Sequence, residues 1–458
     1  MLEKDSLAVL QQALERLEAG FQELPEGTGD CGDMRRISEV LNQAALRLRD
    51  NFPYFHPMYA GQMLKPPHPV ARLAYALAQW INPNNHALDG GRASSAMEKE
   101  AVAEIARMFG WSDHLGHLTS GGTMANLEAL WIAGQLAPGK TIVASEQAHY
   151  THQRICGVLQ LKFESIACDD RARMDVGALK ERLARGDVGT VVATMGTTAT
   201  GSVDPLPEIL QLREQYGFRV HCDAAYGGYF VLAGNLEPET THCFSHINHT
   251  DSIVIDPHKH GLQPYGCGCV LFRDASAGSF YKHDSPYTYF SSKELHLGEI
   301  SLECSRPGAA AVALWATQRL LPLEKGGEFA ASLESCRAAA LKLHSHLGRD
   351  DRFIPGFPPE LDIVVFTPMA SRVSIASELS RKIFDAAGSQ HLHLAVAQLP
   401  VRFFPGIAGK MIEDEPRVVC LRSVLMKPEH REWLDRIWSV LSEATDEASG
   451  AAHSPNTT

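Results

Sequence analysis

Residues 94–273 alternate between helical patterns and short apolar runs, and this alternation constrains the fold more than any other feature of the sequence. The runs Val188–Thr194, 218–222 and Ser252–Ile255 predict strands, and residues 204–216 predict a helix. A strand that is apolar along its whole length is buried on both faces, as in a parallel sheet covered by helices. The sequence therefore predicts an α/β fold with a mainly parallel sheet.

Changes in the pattern of predicted helices and strands divide the chain into four segments. Leucines recur at helical spacing from Leu7 to Leu17, which predicts an N-terminal helical arm that lies across another subunit or a larger domain. The expected segments are the helical arm over residues 1–60, a large domain over residues 61–325, a smaller C-terminal α/β domain over residues 326–446, and a polar, disordered tail over residues 447–458.

Composition argues against several classes of protein. The formal net charge of −12 disfavours binding to nucleic acid or to an anionic membrane surface. No apolar run approaches the roughly 18–20 residues that span a bilayer, and the N-terminal residues are acidic where a signal peptide is basic.

Ten cysteines without a CxxC pair indicate free thiols, so we expect a cytoplasmic protein. His242 and His246 could share a helix face, but nothing nearby completes a metal site and we expect none.

Two motifs stand at predicted strand ends, where a ligand could bind. Thr119-Ser-Gly-Gly-Thr123 leads directly into a helix, whose first N–H groups and positive dipole end favour a bound phosphate. A Gly-Gly turn before a helix is also ordinary loop chemistry. Asp223 ends another strand and is followed by small residues that admit a flat ligand. In such sheets ligands bind at the carboxyl ends of the strands, although Asp223 could instead cap the next helix.

Two further motifs place a lysine and a histidine at strand ends. Lys259 follows a strand, where its amine could attack a carbonyl group, although such a lysine is commonly a solvated surface residue. His149 begins a helix, where a structural role is the ordinary alternative. Together, a phosphate cradle, a carboxylate, an amine and a flat imidazole meet the requirements of pyridoxal 5′-phosphate. Its aldehyde forms a Schiff base with lysine, and its ring nitrogen pairs with a carboxylate.

With these motifs the sequence resembles the group II pyridoxal-phosphate decarboxylases, a family of aromatic amino acid, tyrosine, glutamate and aspartate decarboxylases. The strings Ser-Gly-Gly-Thr-Met-Ala-Asn, Asp-Ala-Ala-Tyr-Gly-Gly and Asp-Pro-His-Lys carry the resemblance, which extends from about Phe55 to Arg422. It implies the aspartate-aminotransferase-like fold of type I, with a mainly parallel seven-stranded sheet in the large domain. It also implies a homodimer with active sites at the subunit interface.

The resemblance implies a role for each matching residue. Lys259 forms the Schiff base and Asp223 pairs with the pyridine nitrogen. His149 stacks on one face of the ring, and Ala225 packs on the other. The remaining implied contacts are Gly122 and Thr123 at the phosphate, Thr198 near the ring hydroxyl, and His258 beside both the phosphate and the substrate carboxylate.

Several residues keep more than one possible role. Arg422, on a predicted strand of the small domain, is implied as a ligand of the substrate carboxylate, and the alternative is a surface arginine. Tyr287 and Tyr289 match a loop from which the family's tyrosine protonates Cα, but both could be core aromatics. Some relatives carry asparagine in place of Asp256, and a carboxylate near a phosphate is unfavourable, so Asp256 could instead pair with backbone or a cation. Arg306 is a candidate for the phosphate or the dimer interface.

The resulting hypothesis is an enzyme that removes the α-carboxylate of an L-amino acid to give an amine and carbon dioxide. Alternatives on the same scaffold are a carbon–carbon lyase, a decarboxylation-dependent oxidase and an aminotransferase. A cofactor-binding partner subunit without activity is an alternative from a different class. The sequence does not distinguish aromatic, acidic and small polar substrate side chains.

Overall fold

Two β-sheets and a set of α-helices form the part of the chain that this computed structural model describes, which is residues 5–25, 32–86, 90–281 and 301–450. The strands are β1 Leu115–Thr119, β2 Thr141–Ser145, β3 Lys162–Ile166, β4 Val188–Thr194, β5 Arg219–Asp223, β6 Ser252–Ile255, β7 Gly268–Phe272, β8 Phe353–Pro355, β9 Ile363–Pro368, β10 Ala395–Pro400 and β11 Arg417–Val424. The helices are α1 Ser6–Ala19, α2 Met34–Leu48, α3 Pro69–Gln79, α4 Arg92–Met108, α5 Gly122–Leu136, α6 Thr151–Val158, α7 Val176–Leu183, α8 Leu206–Tyr216, α9 Pro238–Ser245, α10 Gly308–Leu320, α11 Glu328–Arg349, α12 Val373–Ser389 and α13 His430–Ala448.

The larger sheet has seven strands in the order β1-β7-β6-β5-β4-β2-β3. Strand β7 runs antiparallel to both of its neighbours, and the other pairs for which a register is defined are parallel. Thr194 at the end of β4 pairs with Asp223 at the end of β5, so the carboxyl ends of the central strands meet at one edge. The predicted α/β fold with a mainly parallel seven-stranded sheet is confirmed.

The smaller sheet contains four antiparallel strands in the order β10-β11-β9-β8, against which helices α11 and α12 pack. Its core also takes in Met58 and Ala60, which precede the large domain in the sequence. The Ala60 carbonyl accepts a hydrogen bond from the Val424 N–H at 2.7 Å, and the Ala60 N–H donates to the carbonyl of His393. The end of the predicted arm is thus joined to the small sheet by backbone hydrogen bonds.

The predicted helix over residues 204–216 is wrong at its start, because α8 begins at Leu206. The Asp204 carboxylate accepts hydrogen bonds from the backbone N–H groups of Met174 and Thr194, at 2.7 and 2.8 Å. These bonds tie Asp204 to the end of β4 instead of to the first turn of the helix. The neighbouring strand is shifted by one residue from the predicted 218–222 to Arg219–Asp223, which places Asp223 within the sheet.

The two N-terminal helices have little protein around them. Neither α1 nor α2 contains a buried residue, and large apolar side chains such as Leu7, Leu41 and Leu48 are about two-thirds exposed. Among the described helices, none combines the length and the apolar character needed to cross a bilayer. Boundaries of the four predicted segments stay predictions.

Candidate active site

A cavity of about 350 Å³ opens at the carboxyl edge of the seven-stranded sheet, between the ends of β4, β5 and β6 and the start of α5. The predicted site residues that line it are Gly122, Thr123, His149, Thr198, Asp223, Ala225, His258 and Lys259. They come from five separate segments of the sequence and meet because parallel strands deliver their following loops to the same edge.

One end of the cavity is formed by the N-terminus of α5. The first N–H groups of any helix lack intrahelical acceptors and carry the positive end of the helix dipole. Gly121, immediately before α5, has φ of +153°, a conformation that favours glycine. The Glu303 carboxylate accepts a hydrogen bond from the Ser120 N–H at 2.9 Å, so one backbone donor of this loop is already engaged.

Asp256 lies close to the first residue of α5, Gly122, and beside Lys259. Its Oδ2 is 3.0 Å from Nζ of Lys259 and 3.6 Å from Nε2 of His258, and the Asp256 side chain is 3% exposed. Of the two alternatives for Asp256, a pairing with backbone or with a cation, this arrangement matches the pairing with a cation. A Cβ built on Gly122 would lie only 2.6 Å from Asp256 Oδ2, so glycine at this position is what lets the carboxylate approach the helix.

Asp223 is held from two sides at the end of β5. Its Oδ1 accepts a hydrogen bond from the Ala225 N–H at 3.1 Å, and its Oδ2 lies 2.8 Å from Nε2 of His152. Burial raises the pKa of Asp223, but the hydrogen bond and charge of His152, with smaller contributions from His221 and Lys259, hold it well below its usual range. Asp223 is therefore a buried carboxylate that stays ionised and borders the cavity.

The two histidines that line the cavity are partly buried. Nδ1 of His149 lies 2.7 Å from Oγ1 of Thr151, which fixes the orientation of the ring. Burial lowers the pKa of both His149 and His258, so each favours the uncharged imidazole near neutral pH. The ring of Tyr265 packs on His258, with 4.9 Å between the ring centroids. Both imidazoles are thus positioned as flat groups at the cavity wall.

Arg422 reaches the site region but does not line the cavity. Its Nε donates to the carbonyl of Ala199 at 3.0 Å, and its Nη2 donates to the carbonyl of Thr198 at 2.7 Å. Its Nη1 donates to the carbonyl of Gly61 and to the side chain of Gln62. The guanidinium is therefore occupied in joining the small domain to the turn that carries Thr198, and it is not a surface arginine.

Arg306 lies in a buried ion pair. Its Nη1 is 2.5 Å from Oε1 of Glu98 and donates to the carbonyl of Leu118. The candidate role of Arg306 at a phosphate finds no support here, because the side chain does not line the cavity. Tyr287 and Tyr289, the candidate proton donors, lie outside the described residues.

Comparison with known proteins decides the family. Residues 131–368, just over half of the chain, match the family model described as the pyridoxal-dependent decarboxylase conserved domain. The chain belongs to this family. It is 28% identical to the L-tyrosine decarboxylase of Enterococcus faecium over 88% of this chain and 86% of that protein. It is 33% identical to a probable L-tyrosine/L-aspartate decarboxylase of Methanothrix thermoacetophila, over 61% of this chain and 69% of the relative.

The fold is shared with solved structures. The crystal structure of Oryza sativa TDC with PLP and tryptamine superposes with a TM-score of 0.76 at 18% identity, covering 97% of this chain and 99% of that one. At that identity the likeness shows the fold alone. The family match shows that the chain is an amino acid decarboxylase with pyridoxal 5′-phosphate as its cofactor.

The residues of the cavity fit this cofactor. The N-terminus of α5 offers N–H donors to a phosphate, and Lys259 offers an amine for the aldehyde. Asp223 is a buried anion suited to a protonated ring nitrogen, and His149 with Ala225 provides two walls for a flat ring. Within the described ranges, no group of three or more His, Cys, Asp or Glu side chains is placed to bind a metal ion.

Sequence reasoning missed His152, Glu303 and Tyr226. Tyr226 lines the cavity, and its hydroxyl donates to the Asp362 carboxylate at 2.6 Å. His152 had a detectable signal, because it follows His149 by three residues on a predicted helix and therefore shares its face. Glu303 is 183 residues from Ser120 in the sequence, and no local pattern indicates that contact.

Proposed function

We propose that this chain removes the α-carboxylate of an L-amino acid, releasing carbon dioxide and the corresponding primary amine, with Lys259 as the residue that carries the cofactor. The observation that carries the proposal is the meeting of Lys259, the ionised Asp223 and the N-terminus of α5 at one cavity. When bound, the cofactor supplies an aldehyde for amines and a ring that withdraws electrons from the bond that breaks. Every other requirement falls to the protein's own side chains.

In this proposal, the charges next to the cofactor are set by three side chains, which are Lys259, Asp223 and His149. The Lys259 ammonium donates to Oδ2 of Asp256, which holds the amine near the phosphate end of the cavity. Asp223 keeps a proton on the ring nitrogen by remaining an anion, because an ion pair there favours the charged form of both partners. His149 supports the ring as an uncharged imidazole.

The substrate carboxylate is assigned to the wall that contains His258. In the reaction, the bond between Cα and the carboxylate breaks, carbon dioxide leaves, and Cα takes up a proton. Either Tyr287 or Tyr289 is proposed as the source of that proton. We assign Arg422 the work of holding the turn that carries Thr198, since its donors are engaged by backbone carbonyls and the Gln62 side chain.

The substrate side chain is proposed to be aromatic. His258 lines the cavity and Tyr265 packs against it from outside the lining, and the rings of Tyr54 and Tyr59 contact each other with 4.9 Å between their centroids. Two carboxylates, Asp223 and Asp256, already border the cavity, and a second carboxylate on the substrate would be repelled by them. The relative from Enterococcus faecium, named for L-tyrosine, agrees with this choice.

The functional unit is proposed to be a cytoplasmic homodimer. The exposed apolar residues of α1 and α2 are the surface expected to be covered by the second copy. Nine described cysteines are free and eight of them are buried, which suits a reducing compartment.

Sedimentation equilibrium of the holoenzyme is expected to give the mass of two chains, and replacing Leu41 and Leu48 with Asp is expected to weaken the dimer. A monomer at micromolar concentration would contradict this part of the proposal.

The test of the reaction is a substrate panel with the purified holoenzyme. L-tyrosine, L-tryptophan, L-aspartate and L-glutamate are each incubated, and both carbon dioxide and amine are measured. We expect equal amounts of carbon dioxide and amine, with a higher kcat/KM for an aromatic substrate than for an acidic one. Amine transfer without carbon dioxide would instead identify an aminotransferase. A preference for L-aspartate would overturn the substrate assignment while leaving the reaction intact.

A further inference from the structure

A second histidine stands directly behind Asp223, on the same helical turn as the histidine that lines the cavity. Nε2 of His152 is 2.8 Å from Asp223 Oδ2, and the His152 side chain is fully buried. The His152 N–H donates to the carbonyl of His149 at 3.1 Å, so one turn at the start of α6 positions both rings. His149 lines the cavity, and His152 does not.

The chemistry of the pair fixes which atom carries the hydrogen. An ionised carboxylate only accepts hydrogen bonds, so Nε2 of His152 must be the donor. Nδ1 of His152 is buried and has no hydrogen-bond partner in the described part of the chain. The whole polar interaction of this ring is therefore directed at Asp223.

Among the residues that the structure describes, no other side chain is recorded as donating a hydrogen bond to Asp223. His221 is occupied elsewhere, with Nε2 at 2.8 Å from Asn126 Oδ1 and Nδ1 at 2.8 Å from Ser252 Oγ. Lys259 pairs with Asp256 at 3.0 Å. The only other hydrogen bond described for the Asp223 carboxylate comes from the Ala225 N–H, at 3.1 Å.

We propose that His152 is a positioning residue that keeps the Asp223 carboxylate ionised and aimed at the ring nitrogen of the cofactor. Removing the donor would leave a buried carboxylate with one neutral hydrogen bond, and a buried carboxylate without its partner tends to take up a proton. A neutral Asp223 no longer holds a proton on the ring nitrogen. Cofactor affinity and the absorption spectrum of the bound cofactor would then change together.

The experiment compares two substitutions of His152 in the full-length protein. His152→Leu keeps the approximate volume and removes the donor, whereas His152→Gln returns an N–H near the position of Nε2. Apoprotein is titrated with pyridoxal 5′-phosphate, and both the dissociation constant and the bound spectrum are recorded against pH. We expect His152→Leu to weaken binding by roughly 10- to 100-fold, the loss that corresponds to one hydrogen bond to a charged group, and to alter the spectrum. We expect His152→Gln to restore both.

The matched control is His117→Leu. Nε2 of His117 lies 2.8 Å from Oε2 of Glu128 in an equally buried pair, and neither residue lines the cavity. This variant is expected to lose stability but to keep the wild-type affinity and spectrum. If His152→Leu fails to fold, His152→Met removes the same donor with a more adaptable side chain.

The proposal rests on the proposed function, and the two can fail separately. If the wild-type protein does not bind the cofactor, the proposed function is wrong. If the wild type binds it and a folded His152→Leu or His152→Met variant shows unchanged affinity and spectrum, the role of His152 is wrong. Equal damage in His152→Gln and His152→Leu would also overturn it, because the ring shape would then matter and the donor would not.

Discussion

Replacing Gly122 by alanine is expected to disturb the site through Asp256. The new Cβ would lie 2.6 Å from Oδ2 and 2.8 Å from Oδ1 of the Asp256 carboxylate. An ordinary contact begins near 3.4 Å, so the carboxylate must retreat by about 0.8 Å (3.4 minus 2.6 Å). Because Asp256 is buried and pairs with Lys259 at 3.0 Å, the displacement is passed to the catalytic amine.

Two opposing effects set the magnitude of the change in stability. Alanine is favoured over glycine in a helix by up to about 1 kcal/mol, and by less at the first helical position. Overpacking of a buried contact costs about 1–3 kcal/mol. The free energy of unfolding is therefore expected to fall by about 1–2 kcal/mol. A misplacement approaching 1 Å at a reacting group can lower the rate by about 100-fold, and we expect a loss of that order in kcat/KM.

The assay combines urea denaturation with steady-state carbon dioxide release. Gly388→Ala is the control, because Gly388 lies in α12 and its Cβ would meet nothing within 4 Å. This control is expected to be neutral or slightly stabilising, with unchanged activity. Wild-type stability and activity in Gly122→Ala would refute the reasoning, since the close approach of Asp256 to α5 would then be unnecessary.

Three further substitutions test buried charges and hydrogen bonds elsewhere in the chain. Burial, with a smaller contribution from Lys65, lowers the pKa of Lys427 to about 7. The unfolded state therefore binds more protons from pH 7 up to the ordinary lysine pKa, and wild-type stability rises with pH over that window. In Lys427→Met the part of this rise that Lys427 contributes, at most about 1.4 kcal/mol per pH unit, is expected to be lost from denaturation curves. Arg306→Met leaves the buried Glu98 carboxylate without its cation, although Asn85 and the Leu118 N–H still donate to it, and calorimetry is expected to show a loss of about 3 kcal/mol. Arg422→Met leaves the carbonyls of Thr198 and Ala199 without their hydrogen-bond donor, so cofactor titration is expected to show weaker binding. Unchanged cofactor affinity would contradict the positioning role of Arg422.

The chemistry of the site was predictable from the sequence because it lies at strand ends. Once the strands were identified as parallel, the residues after them had to meet at one edge, and Asp223, His149 and Lys259 do so. Gly122 and Thr123 were predictable for a similar reason, since a helix N-terminus is a local feature. These assignments needed no knowledge of packing between distant segments.

The remaining features depend on contacts between distant parts of the chain. Arg422 was predicted on a strand, but its engagement by carbonyls more than 200 residues away follows from how the two sheets face each other. The Glu303 contact with Ser120 is of the same kind. The start of α8 was misplaced because the Asp204 carboxylate binds two backbone N–H groups from other elements. Tertiary hydrogen bonds here override the local helical pattern.

The most direct test of the central claim is to locate the cofactor on the chain. Borohydride reduction of the holoenzyme fixes the bond between a lysine and the cofactor, and mass spectrometry of the peptides then identifies the modified residue. We expect the reduced cofactor on the peptide that contains Lys259, and none on that peptide in Lys259→Ala, which should also release no carbon dioxide. Attachment to another lysine of the wild-type protein, or full activity in Lys259→Ala, would contradict the account.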